Sequence, residues 1–297
     1  MVTVVGSHDG DTPVVAVLSD ASDFHREPGS SIMTELLSWA SLICKHSGIS
    51  TTALLLSAVD TDSLIAGVRR AATNLGAVYL AHINPARADA ARVALADTVT
   101  VITDRQAQAV ALVAATLRVL VGEGVALSAG RMVIVGGDRN PMVATLAVAA
   151  GIGEIDSWGR DDAHNFPLRT LNRRVAVIDL LGCVGPEPGD GAGSVRGHDE
   201  PARVISVDRM MTAVAASQLL AAAGTAGAAL SVAEFLACAQ LLAQIDHVDL
   251  TAPARPDAAS LRIPSVSDFP PGTSSALSGG VVEGVFAGVT DVGPDDE

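Results

Sequence analysis

Residues able to do chemistry gather just behind short apolar runs. Asp20, Asp23, His25, Arg26 and Glu27 follow Val14–Leu18 (VVAVL), His82 and Asn84 follow Ala77–Leu80, and Thr103, Asp104 and Arg105 follow Val99–Ile102. A histidine beside an aspartate can exchange protons near neutral pH. Arg105 or Arg26 could hold a small carboxylate through paired N–H donors. The same residues read equally as a polar cleft, hydrogen-bonded and inert. A metal on His25, His82 and Asp104 would lack the local spacing of an H-x-x-x-H site, so no metal is expected there. No G-x-S-x-G nucleophile elbow occurs, and no Lys-Ser/Thr pair follows Gly122-Glu123-Gly124, which is therefore a linker turn and not a phosphate loop. His164, His198 and His247 fall in loop-like segments and read as solvated.

These groups share a cleft only if their apolar runs are neighbouring strands. The pattern says that they are. Strands are expected at Val14–Leu18, Ala53–Leu56, Ala77–Leu80 and Val99–Ile102, with helices at Ser30–His46, Asp62–Asn74, Pro85–Leu95 and Arg105–Val121 between and after them. A further strand, Arg131–Val135, leads through a turn at Gly136–Pro141 into a helix, Met142–Ala150. Glu154–Ser157, Val175–Asp179 and Val204–Val207 are further strand candidates, and Met210–Ala223 and Val232–Ile245 further helices. Strands alternating with helices give parallel sheets, and such sheets place their sites at the carboxyl ends of the strands.

Composition narrows the function classes. The chain has 297 residues with 33 acids against 19 bases, a net charge of −14. That excess argues against nucleic acid, whose phosphates need clustered Lys and Arg. Aromatics are 3% of the chain, too few for a base-stacking platform. No run of about 18 apolar residues suits a membrane span, and the N-terminus lacks the basic and apolar regions of a signal peptide. Cys44, Cys183 and Cys238 are odd in number and far apart, which predicts reduced, mostly buried thiols in a cytoplasmic protein. Gly182–Glu200, rich in Gly, Pro and acids, reads as a mobile loop.

Several blocks resemble the malic enzyme family. Val14–Asp20 (VVAVLSD) is similar to that family's early VAVVSDG strand. Asn74–Val93 (NLGAVYLAHINPARADAARV) is similar to its strand ending in Glu-Asp-Ile before a proline-started helix. Val99–Leu120 (VTVITDRQAQAVALVAATLRVL) resembles its Asp-Asp block ahead of a long helix, and Arg131–Asp156 the start of its dinucleotide domain. Order and spacing agree over roughly residues 14–180. The resemblance implies three oxygen ligands for Mg²⁺ or Mn²⁺, a general-base lysine, a catalytic tyrosine and an NAD(P) site. At the matching positions stand Ala81 and His82 in place of the Glu-Asp pair, and Arg105 in place of the ligating Asp, with Asp104 its surviving neighbour. Trp39, or a residue beside it, stands at the lysine position. Lys45, the single lysine, sits near a helix C-terminus, where a cation suits the dipole. The family's N-terminal portion, with its tyrosine, has no counterpart.

The dinucleotide turn departs as well. Gly136, Gly137, Asp138 and Arg139 occupy it, with Gly137 matching the first glycine of G-x-G-x-x-G, and Arg139 and Met142 replacing the second and third. A side chain at the second position obstructs the approach of backbone to pyrophosphate. Asp156 or Asp161 would serve as the ribose-binding acid, a weak signal without the turn.

The expected architecture is therefore α/β: two doubly wound parallel-sheet domains, the second Rossmann-like, resembling a truncated malic enzyme. Residues 1–125 form the first, 126–225 the second, and 226–297 C-terminal helices with an irregular tail. The expected function is that of a malic-enzyme-like protein without malate decarboxylation, binding a partner or small ligand, and forming a homo-oligomer. One alternative is a divergent enzyme acting on a small carboxylate with His82 and Asp104 as acid–base groups and Arg105 as anion holder. Another is an oxidoreductase with an atypical NAD(P) site on Gly136, Gly137, Asp138 and Arg139.

Overall fold

The computed structural model describes residues 2–5, 15–24, 31–164, 175–182, 203–226 and 229–244. All of them fall in the unit Met1–Ala258. His25, Arg26, Glu27, Cys183, His198, His247, nearly all of the segment 182–200 and the tail from 246 lie outside the described residues.

The first sheet has the order β1-β3-β2-β4-β5, made of β1 (Val2–Val5), β2 (Val15–Ser19), β3 (Thr51–Leu55), β4 (Ala77–Leu80) and β5 (Thr100–Thr103). The last four strands are parallel, as alternation with helices requires. The edge strand β1 runs antiparallel to β3. It went unpredicted because four residues of VTVV carry too little pattern. The second sheet is parallel throughout, in the order β7-β6-β8-β9, with β6 (Arg131–Val135), β7 (Glu154–Trp158), β8 (Val175–Asp179) and β9 (Arg203–Ile205). In each sheet the first parallel strand lies between the second and third. That reversal of winding is where open α/β sheets bind ligands.

Helix ends follow local chemistry. Ser31 caps α1 (Ile32–Ser47) by accepting from the Thr34 N–H, and Gly48 ends it at φ +69°. Asp60 and Ser63 form a capping box on α2 (Thr61–Ala71). Asn84 caps α3 (Pro85–Ala94), whose first residue is the proline. Thr103 and Gln106 form a capping box on α4 (Asp104–Gly122), so the last residue of β5 is also the cap of the next helix. The cap leaves no linker between strand and helix, which pins Asp104 at the carboxyl edge of the sheet.

Alternate strand residues split the first sheet's two faces. Ala16, Leu18, Val78, Leu80 and Val101 pack under α2 and α3 with Leu64, Val68, Ala88 and Ala91. Val15, Val17, Ala77, Tyr79 and Ile102 face the other way, toward α1, α4 and α6 (Arg209–Ala226). That second cluster continues into Met132, Ile134, Ala176 and Ile178 of the second sheet and into α5 (Pro141–Ala149) and α7 (Val232–Gln244). Helix α4 joins them. Its run Ala109–Ala114 is buried at every position, which an amphipathic surface helix cannot be. Among the described residues, no helix is long and apolar enough to cross a membrane.

Candidate functional site

The carboxyl ends of β2, β4 and β5 bring together Asp23, His82, Asn84 and Asp104, the described members of the groups that the sequence placed behind those strands. After β2, the Asp20 side chain is fully buried and lies 2.9 Å from Arg87 of α3. The contact is ionic, and that oxygen of Asp20 has no aligned hydrogen bond. Its other oxygen accepts from the Ser22 N–H and hydroxyl, at 2.9 and 2.6 Å. Arg87 also donates to the Asp60 carbonyl at 2.6 Å, so one guanidinium ties the loops after β2 and β3 to α3. Ser22 passes the connection on, its hydroxyl accepting from the Asn84 N–H at 2.8 Å.

His82 sits at the centre with φ +53°, a left-handed conformation that costs a non-glycine residue about 1–2 kcal/mol. Its own peptide explains why it is held. The N–H donates to Asp104 Oδ2 at 3.1 Å. The carbonyl accepts from the Asp23 N–H at 3.1 Å and the Ser19 hydroxyl at 3.4 Å. The ring meets Phe24 edge-on, with centroids 5.5 Å apart. His82 and Asp104 are thus joined, but through the backbone of one and the side chain of the other. The imidazole instead points Nε2 at Glu35 of α1, 3.6 Å away.

Asp104 uses its second oxygen on the Arg105 N–H, at 2.8 Å. Burial pushes its carboxyl above the usual carboxylate range, against the opposing pull of the His82 and Arg105 N–H groups. A raised native pKa means that the folded state binds more protons than the unfolded state between about pH 4 and the native value. Asp104 therefore stabilises the fold least once both states are ionised, and stability falls as pH rises through that window. Asp104→Asn is expected to remove this slope. Urea unfolding of both proteins at a series of acidic pH values measures it, and parallel profiles would contradict it.

Four residues of the cluster were not singled out as site residues from sequence. Arg209, the first residue of α6, places NH1 2.9 Å from Glu35 Oε1 and donates from NH2 to the Glu35 carbonyl at 3.0 Å. Its guanidinium carbon lies 5.1 Å from the centre of the Trp39 ring, a cation–π stack. Trp39 in turn lies 5.6 Å from Tyr79, centroid to centroid. Tyr79 is fully buried. Burial, and secondarily Asp104, push its hydroxyl well above its ordinary value, while Arg209 pulls the other way, so it stays a protonated donor. Two signals bore on these: the resemblance put Trp39, or a residue beside it, at the implied lysine position, and both aromatics are rare types here. Tyr79 is the chain's single tyrosine and Trp39 one of two tryptophans, in a composition poor in both.

The turn after β6 touches this region through Asn140, a residue outside the predicted group Gly136–Arg139. Asn140, buried at the start of α5, donates to the Arg105 carbonyl at 2.9 Å and so links the β6 turn to the first turn of α4. Asp138 and Arg139 are exposed.

Neither family cofactor fits these residues. At the implied ligand positions, the Ala81 methyl is buried in the core and both Asp104 oxygens already accept N–H groups. Among the described residues, no three His, Cys, Asp or Glu side chains form a group able to hold a metal ion. At the turn, Gly136 has φ +73° and is covered by Leu181, whose side chain lies 2.6 Å from where a Cβ would stand. Leu181 thus packs directly on the first residue of the turn. Asp156 lies within β7, beside Arg131 at 4.0 Å, and not at the strand end where a ribose is held.

No family model matches the chain, and no curated protein does. Solved structures do. A protein described as a malic enzyme (malate oxidoreductase) is similar at 17% identity and a TM-score of 0.47, over 56% of this chain and 53% of that one. Malic enzyme from Pyrococcus horikoshii is similar at 16% identity and 0.44, over 56% and 47%. NAD-dependent malic enzyme from Thermotoga maritima is similar at 21% and 0.43, over 50% and 41%. The likeness is one of fold, and it assigns this chain no activity. The chain spans about half the length of these structures.

Proposed function

We propose that this malic-enzyme-like chain has lost the oxidative decarboxylation of malate and acts by binding a small ligand at the cluster around Glu35, His82 and Arg209. The observation that supports this most is the state of the carboxylates. Asp104 is committed to two backbone N–H groups, and Glu35 to Arg209. Glu35 thus already has a cationic partner, and Arg105 adds a positive charge at the implied ligand position. Metal ions and general acid–base groups each carry large rate factors, about 10²–10⁴ for one base. Their joint loss leaves malate chemistry without its parts. The free thiols of Cys44 and Cys238 fit a reduced, cytoplasmic setting. The reading includes self-association as a homo-oligomer.

With malate, Mn²⁺ and either NAD⁺ or NADP⁺, no reduced nicotinamide is expected to form, and neither Mn²⁺ nor NAD⁺ should raise the thermal midpoint. A ligand of the native state must raise it. Malate- and metal-dependent reduction would overturn the proposal.

A second reading has one observation in its favour. The buried Asp104 carboxyl, raised by desolvation beside a histidine, is poised as catalytic acids are. In that reading His82 and Asp104 transform a small carboxylate. It requires that a biological activity, once found, disappears in both His82→Gln and Asp104→Asn.

A further inference from the structure

We propose that Asp104 works a proton-driven switch: ionised, its carboxylate holds the His82 backbone in a left-handed conformation, and protonated, it lets that backbone and the loop after β2 relax together. The device belongs to the fold and stands without any ligand. The first ground is where the strained backbone lies. Among the described residues, Ala21 at φ +59° and His82 at φ +53° are the two non-glycine residues with positive φ. Such conformations persist only where the surroundings over-determine them. Both belong to one hydrogen-bonded unit. The Ser19 hydroxyl accepts from the Ala21 N–H at 2.9 Å and donates to the His82 carbonyl at 3.4 Å. The same carbonyl accepts from the Asp23 N–H at 3.1 Å, and the Phe24 N–H returns to the Ala21 carbonyl at 3.3 Å. On its other side the His82 backbone rests on Asp104 Oδ2, to which its N–H donates at 3.1 Å.

The second ground is what a proton does to that acceptor. An ionised carboxylate only accepts, and each Asp104 oxygen takes one N–H, His82 on Oδ2 and Arg105 on Oδ1, at 3.1 and 2.8 Å. Oδ1 lies at the first turn of α4, where the helix favours negative charge, so the proton goes to Oδ2. An O–H then faces the His82 N–H, donor against donor. The bond lost is charge-assisted, roughly twice as strong as a neutral one. Without it the strain at His82 has no counterweight. As His82 relaxes, its carbonyl leaves Ser19 and Asp23, and Ala21 moves with them. Burial raises the Asp104 carboxyl above the usual carboxylate range, the His82 and Arg105 N–H groups and the His82 imidazole oppose this, and Asp23 adds to it. The other charged or titratable groups around it are the Arg105 side chain, Tyr79 on β4, Arg209 on α6 and Glu35 on α1, which faces the His82 ring at 3.6 Å. Among the described residues, no three His, Cys, Asp or Glu side chains here could hold a metal ion. The held state therefore dominates above the Asp104 midpoint and the relaxed state below it.

The test follows backbone amide resonances of the full, isotope-labelled chain as the pH is lowered from neutral. The His82, Asp23 and Ala21 amides should shift together along one single-proton curve, with a midpoint above about 3.9, the ordinary aspartate value. Asp104→Asn puts an NH2 where Oδ2 accepts and so mimics the protonated form. Its three amides should stand near their acid positions at every pH. His82→Ala keeps the strain and removes the ring, so the Asp23 and Ala21 shifts should remain. His82→Gly adopts positive φ without strain, so those two shifts should be lost while the amide of residue 82 still titrates. Thermal midpoints check that each variant folds, and the wild-type titration decides by itself where one does not. Wild-type amides that stay still or titrate with separate midpoints overturn the proposal, as does a titration that survives in Asp104→Asn. Loss of the Asp23 and Ala21 shifts in His82→Ala would assign them to the imidazole, and their persistence in His82→Gly would show that strain does not drive them. Either result overturns it as well.

Discussion

Arg87→Ala is expected to destabilise the fold by about 3–5 kcal/mol, the cost of leaving a buried charge without its partner. Asp20 has a fully buried side chain and meets Arg87 at 2.9 Å. Without the guanidinium, its carboxylate keeps the two Ser22 donors and nothing to balance its charge. The Asp60 carbonyl loses its donor as well. For a chain of this size the midpoint of thermal unfolding should drop by roughly 6–20 °C. The double variant Asp20→Leu/Arg87→Met separates charge from packing. Replacing a buried pair by apolar residues is often near neutral, so the double variant should be more stable than Arg87→Ala alone. Chemical unfolding of the three proteins reads the difference, and a double variant no better than the single one would place the cost in the packing of Arg87. The site should respond too. Ser22 and Asp23 bond to Asn84 and His82, so loosening this loop should weaken ligand binding.

Gly136→Val is expected to cost about 2–6 kcal/mol, from two independent causes. At φ +73° a β-branched residue is strained by about 1–3 kcal/mol. Its Cβ would also stand 2.6 Å from the Leu181 side chain, and overpacking of that kind costs about 1–3 kcal/mol. Leu181→Ala in the Gly136→Val background should recover the second part and not the first. Full recovery would show that φ carries no strain, and no recovery that Leu181 does not press on the turn. The single change Leu181→Ala opens the face above Gly136, and NAD⁺ should still not raise its thermal midpoint, because Asp138 and Arg139 remain in the turn.

Much of the architecture was legible in local pattern. Seven of the strands at Val15–Ser19 through Val175–Asp179 and β9 arise from apolar runs bounded by caps and glycines, and helix starts at Ser31, Asp60, Asn84 and Thr103 follow from side chains that reach their own backbone within three residues. The antiparallel edge β1 was not legible. Its pairing with β3 is settled by a neighbour nearly fifty residues away in sequence and not by VTVV itself.

The candidate site divides the same way. Residue types behind strand ends indicated His82, Asp104 and Arg105, because parallel topology sends those ends to one edge. The resemblance to malic enzymes also implied other residues where that family has carboxylates and glycines, since such a difference is a matter of identity at a position. Sequence could not say that the His82 peptide, and not its ring, would meet Asp104, because that depends on a left-handed φ held by three separate elements. Nor could it place Arg209 on Glu35 and Trp39, or Leu181 over Gly136. Strands and caps are set by residues within a few positions of one another, so the sequence by itself determined them. The donors gathered around Glu35 come from α1, β4, the residues after β4 and α6, and only tertiary packing decides which of their polar atoms find partners and which stay unanswered.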